Sequence, residues 1–116
     1  MAAYPEFRGP DGTLRQKFIL STTLPDQVFT GTMPTDTVDM QVSVRGGAFT
    51  SDPDYITFEG TGFTVPNPSA FPDGLQLLPG GNEIKVKAIL STGAVTQEAV
   101  LQANLSLEAD IGELAD

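Results

Sequence analysis

The most regular pattern in the chain lies in "TVDMQVSVRGG", where Val38, Met40, Val42 and Val44 alternate with Asp39, Gln41, Ser43 and Arg45. A period of two puts one set on each side of an extended strand, whereas a helix would scatter the four apolar residues around its circumference. "NEIKVKAIL" repeats the pattern: Ile84, Val86, Ala88 and Leu90 point one way, and Glu83, Lys85 and Lys87 the other. Ile89 breaks the polar face, where a loop or partner would cover it. Gly80, Gly81 and Asn82 stand directly before this strand, and all three reach the positive backbone angles of a tight corner at little cost. Beyond the turn signal "STG", Val95, Ala99, Leu101, Ala103, Leu105 and Leu107 alternate with Thr96, Glu98, Gln102, Asn104 and Ser106. The alanine, leucine and glutamate of residues 98–107 also suit an amphipathic helix. The length of the alternation and the preceding turn favour a strand in a hairpin.

Shorter signals fill the rest. "LRQKFILS" reads as a first strand with Phe18 and Leu20 inward and Lys17 outward, closed by Pro25 and Asp26. Residues 27–33, "QVFTGTM", make a second, in which Gly31 marks a bulge or a close backbone approach. Residues 55–58 and 63–65 flank the flexible "EGTG" as two short strands, and the prolines of residues 66–74 predict a loop crossing between sheets. Turn formers around Tyr4 and Phe7 predict an irregular N-terminal arm over residues 1–13. Residues 108–116 predict a short acidic tail. Between them, residues 14–107 suit one domain with a single core.

Composition narrows the chemistry. With neither cysteine nor histidine in 116 residues, disulfides, thiolate zinc sites, thiol nucleophiles and imidazole acid–base catalysis are excluded. The serines therefore have no imidazole base, and "GTG" at residues 60–62 lacks the lysine and helix of a phosphate loop. No catalytic residue is assigned, and the expectation is a protein that is not an enzyme. Asp36 with Asp39, and Asp52 with Asp54, fall short of the ligand count and spacing of a calcium loop; no metal and no cofactor is expected. A net charge of −9 repels phosphate backbones and anionic lipid, so neither nucleic acid nor a membrane is an expected partner. "MAAYPEFRGPDG" lacks the basic start and apolar centre of a secretory signal, which predicts a soluble protein made without export by that route. The six basic residues look scattered, with no tract among them.

Six to eight short strands at turn-punctuated spacing are the signature of a two-sheet sandwich. "LQLLPGGNEIKVKAILSTGA" resembles the penultimate hairpin of bacterial and phage immunoglobulin-like domains, through Leu78, Pro79, Gly80, Asn82, Ile84, Val86, Ala88 and Gly93. "FTGTMPTDTVDMQVSVRGG" resembles the earlier part of such domains. The resemblance covers residues 27–107, without the cysteine pair and tryptophan of antibody domains. It implies an all-β, immunoglobulin-like antiparallel β-sandwich. An acidic domain of this kind, free of cysteine and histidine and led by a turn-rich arm, is similar to phage virion accessory proteins such as head decoration or tail and baseplate adaptors. That resemblance implies a virion location and a role docking on other virion proteins of a capsid or tail.

Aromatic and apolar residues in turn-rich segments are then the candidates for partner binding, because loops on a rigid sandwich carry most binding functions. They are Tyr4, Phe7, Phe63, Phe71 and Ile89. For Phe63 and Phe71 the competing expectation is that they cap the open ends of the core. The alternative function is a carbohydrate-binding or adhesive module that takes surface glycans, although the absence of tryptophan weakens it.

Overall fold

A computed structural model describes residues 4–106. Leu107 and the acidic tail of residues 108–116 lie outside the described residues. The strands are β1 (Glu6–Arg8), β2 (Leu14–Arg15), β3 (Lys17–Thr22), β4 (Asp26–Gln27), β5 (Phe29–Thr32), β6 (Thr37–Val44), β7 (Thr57–Glu59), β8 (Gly62–Val65), β9 (Leu75–Gln76), β10 (Gly80–Leu90) and β11 (Ala99–Leu105). No helix occurs among the described residues.

The two long alternating segments pair with each other, Val86 opposite Val42 and Ala88 opposite Met40, and β10 then pairs with β11. One face of this sheet is dry: Met40, Val42, Ile84, Val86, Ala88, Ala99, Leu101 and Ala103 are buried. Residues 98–107 thus follow the strand reading as far as they are described, because only a period of two brings Ala99, Leu101, Ala103 and Leu105 onto the face that meets the core. Val38 and Val95 escape burial at the ends of their alternations, at 57% and 56% exposure.

The two main sheets run β2-β1-β5-β8-β7 and β3-β11-β10-β6, with a small β4-β9 pair beside them. Counting from β1 and leaving out the short β2, β4 and β9 and the added edge strand β3, this is the first-second-fifth-fourth order of one immunoglobulin constant-type sheet facing the third-sixth-seventh order of the other. The fold is an immunoglobulin-like β-sandwich. One pair departs from the antiparallel expectation: β3 runs parallel to β11, with Phe18 opposite Leu101 and Leu20 opposite Ala103. The chain makes β1 in one sheet, then crosses at Gln16 to add β3 to the edge of the other, where the last strand already points the same way.

The N-terminal segment corrects the arm reading. Glu6–Arg8 is a strand paired on both sides, with Phe7 opposite Gly31 of β5 and opposite Arg15 of β2. Phe7 is 0% exposed and meets the ring of Phe63 edge-on, with centroids 5.5 Å apart. Gly31 explains the fit, since a β-carbon there would run into the Glu6 carbonyl oxygen and the Phe63 ring. The close approach expected at Gly31 is that of β1. Turn formers at residues 9–13 serve instead to reverse the chain between β1 and β2, with Gly12 at φ 85° and its amide donating to the Gly9 carbonyl.

At the corner before β10, Gly80 alone of the three candidate residues takes a positive φ, at 92°. Asn82 works through its side chain, fully buried. Its Oδ1 accepts the Leu78 amide at 2.9 Å, while Nδ2 donates to the carbonyls of Leu78 at 2.8 Å, Ala103 at 3.1 Å and Gly80 at 3.2 Å. One amide side chain thus closes the corner and ties it to β11.

Candidate docking surface

The five residues singled out for binding do not form one surface. Phe7 and Phe63 face each other in the core, Phe63 at 2% exposure, so neither side chain is available to a partner. Tyr4 is half-buried just before β1. Phe71 is half-buried at one end of the sandwich, tilted 37° against Tyr55 with centroids 5.3 Å apart. Ile89 lies on the outer face of the four-stranded sheet, opposite Asp39 of β6, and bridges to Val95.

The acidic pairs serve the backbone. Asp52 Oδ1 accepts the Asp54 amide at 3.0 Å while its carbonyl takes the amides of Tyr55 and Ile56, and the Asp36 carbonyl takes the Ser91 amide. Asp11 likewise accepts the Thr13 amide at 3.0 Å, and that bond holds its carboxyl below the ordinary 3.8. Among the described residues no three acidic side chains gather as a metal-binding group would require.

What the structure presents instead is an edge. Each open sheet has two ends, and main-chain groups there are templates for another strand unless something covers them. The end at β2 is two residues long and the end at β7 three. The β6 end is covered by its own chain at one position. Arg45 and Gly46 turn with φ 51° and 77°, and Thr50 returns to exchange both backbone hydrogen bonds with Val42 at 2.9 Å. The fourth end is β3, six residues long, with no returning segment paired to it among the described residues.

The hydrogen bonding of β3 decides which groups are free. In a strand, successive residues direct their N–H and C=O to opposite sides. The carbonyls of Gln16 and Thr22 accept from Val100 and Ser106, so the even-numbered residues bond toward β11. Lys17, Ile19 and Ser21 therefore direct their main-chain groups away from the sheet. No backbone hydrogen bond among the described residues reaches them from that side. Ile19 is 71% exposed on this edge.

Beside the edge runs a groove of about 430 Å³ between the two sheets, where β3 stands apart from β1 and β5. Phe18, Leu20, Leu24, Val28 and Phe29 give it an apolar lining. Phe18 and Leu20, expected to face inward, do so only halfway, because the sandwich is open along this side. Gly9 shapes the mouth, since a β-carbon there would run into the Phe18 ring. Sequence reasoning found the strand but not that it is an edge, because the crossover at Gln16 leaves no signal in periodicity.

No protein-family model matches the chain, and no curated protein matches it either. Among solved structures it is similar to the fibronectin(III)-like modules of Clostridium thermocellum CbhA, at 13% identity and TM-score 0.47, over 78% of this chain and 88% of that one. It is also similar to CopC from Methylosinus trichosporium OB3b, at 9% identity and TM-score 0.49, over 76% and 85% respectively. Both likenesses are too distant to carry an argument about function, and the fold assignment rests on the strand order and pairing above.

Proposed function

We propose that this chain is a non-enzymatic docking module that attaches to another protein by accepting an extended segment along the open edge of β3. The observation that carries the reading is the edge itself: three consecutive outward main-chain positions, Lys17, Ile19 and Ser21, beside an unfilled apolar groove. Main-chain pairing supplies affinity in such an arrangement, and side chains entering the groove supply selectivity. The finer setting, a decoration or adaptor role on a phage capsid or tail and hence a virion location, rests on the sequence resemblance. Repetition of the partner in a particle lattice would let weak single contacts sum through avidity. Nucleic acid and membrane lipid have no part in this reading.

Ile19→Pro tests it. Proline at an outward edge position removes only a donor that the fold does not use, and its fixed φ suits an edge strand. The variant is expected to fold and to lose co-sedimentation with the particle that the wild-type chain binds. Retention of full binding by a folded Ile19→Pro protein would refute edge docking.

A second reading, glycan binding, is favoured by the Tyr55–Phe71 pair, which borders a depression of about 410 Å³ shared with Arg45, Asp26 and Asp73. Glycan-array binding that Tyr55→Ala abolishes and Ile19→Pro leaves intact would select it over edge docking.

A further inference from the structure

The outer face of the four-stranded sheet concentrates positive charge in an acidic protein. Register places Lys17 of β3, Val100 of β11 and Lys85 of β10 in one row, and Lys87 follows two residues along β10. Arg15 ends β2, two residues before β3 begins, its guanidinium 5.9 Å from the Phe18 ring centroid, and shares a shallow concavity with Lys17, Ile19, Glu83 and Lys85. Four of the chain's six basic residues thus gather on or beside this face. Lys85 is partly compensated by Glu83 at 3.5 Å, and Lys87 lies over the Phe49 ring at 4.1 Å. Arg15 and Lys17 are exposed and nearest the open edge.

A strand added at that edge would continue the pleat. Its side chains would alternate between the groove beside Phe18 and Leu20 and the outer face beside Lys17 and Ile19. The inner set meets apolar surface. The outer set lies one strand spacing, about 5 Å, from the Lys17 row, and about 15 Å from Lys85. At physiological ionic strength charges are screened over about 8 Å, so Lys17 dominates, with Arg15 adding to it although the nearby Asp11 carboxylate offsets part of the Arg15 charge.

We infer that the segment docking on β3 alternates apolar with acidic residues, its apolar side chains entering the groove and its carboxylates facing Arg15 and Lys17. The inference rests on the edge-docking reading and adds the partner's chemistry to it. A nucleic acid fits less well. Its phosphates would extend past the patch into the acidic remainder of the surface and gain nothing from Ile19 or the groove.

The test uses three labelled seven-residue peptides with valine at alternate positions and glutamate, threonine or lysine between, titrated by fluorescence anisotropy, and a single-stranded oligonucleotide as a fourth probe. The expected order is glutamate, then threonine, then lysine. The glutamate-over-threonine preference should be about three- to fivefold at low salt, the scale of exposed ion pairs, and fade at 0.5 M salt. Lys17→Glu should remove that preference while leaving the threonine peptide bound. Equal binding of the glutamate and threonine peptides, preference for lysine, or tighter binding of the oligonucleotide would each overturn the acidic-partner inference and leave edge docking standing. Binding of all peptides that survives Ile19→Pro would overturn edge docking itself.

Discussion

Replacing Asn82 by alanine is the sharpest test of how the corner before β10 is built. The side chain is fully buried and makes three close bonds, accepting from the Leu78 amide at 2.9 Å and donating to the carbonyls of Leu78 at 2.8 Å and Ala103 at 3.1 Å. Each contributes about 1 kcal/mol net, and an orphaned buried group costs more than a bond merely removed. The longer contacts, 3.2 Å to the Gly80 carbonyl and 3.4 Å from Arg45 Nη1, add little. Leu78 is exposed, so water can replace part of what its amide and carbonyl lose, whereas the Ala103 carbonyl sits in the core. The loss should therefore be about 2–4 kcal/mol, a large share of the stability of a domain this size. In urea unfolding the midpoint should fall by about 1–2 M with an unchanged slope. A midpoint shift below about 0.3 M would refute the capping role of Asn82. Asn82→Asp sharpens the test, because a carboxylate only accepts and would face three carbonyl oxygens. Its folded-state pKa must then rise above the ordinary value of about 3.9, so its penalty is largest at neutral pH and shrinks as pH falls toward that value.

Three further outcomes follow from the same structure. Phe7→Ala should cost about 3–5 kcal/mol in chemical denaturation, as for a core phenylalanine, and deletion of residues 1–13 should unfold the domain rather than merely trim it. Gly31→Ala should cost about 2–3 kcal/mol, because its β-carbon meets the Glu6 backbone of β1; an NMR spectrum with native β1 shifts and unchanged stability would contradict that packing. In a pH titration followed at the Asp11 side-chain carboxyl carbon by NMR, the midpoint should fall below 3.8, and Thr13→Pro, which removes the donor, should return it toward the ordinary range.

The sequence and the structure agree where one face of a strand is dry and the other wet. Met40 with Val42 and Ile84 with Val86 announce the core because their neighbours are polar, and that contrast is the whole signal. Phe7 hides in a segment rich in proline and glycine, where turn formers signify the reversal after β1 as readily as a loose arm. What revealed its strand was Gly31, the residue that makes room for β1, and its partner lies too far along the chain for periodicity to link the two. The docking edge was legible only in part. Lys17, Lys85 and Lys87 each stand at outward positions of their own strands, yet the parallel pairing of β3 with β11 is what gathers them. An edge is a property of what fails to pair, and no single segment contains it.

Residue-resolved amide hydrogen exchange along β3 tests the account most directly. In the free protein Phe18, Leu20 and Thr22 should exchange slowly, bonded toward β11, while Lys17, Ile19 and Ser21 exchange fast; on adding the alternating glutamate peptide, those three should become protected. Uniform protection across β3 in the free protein, or odd-numbered amides that stay fast with the peptide bound, would contradict docking at this edge.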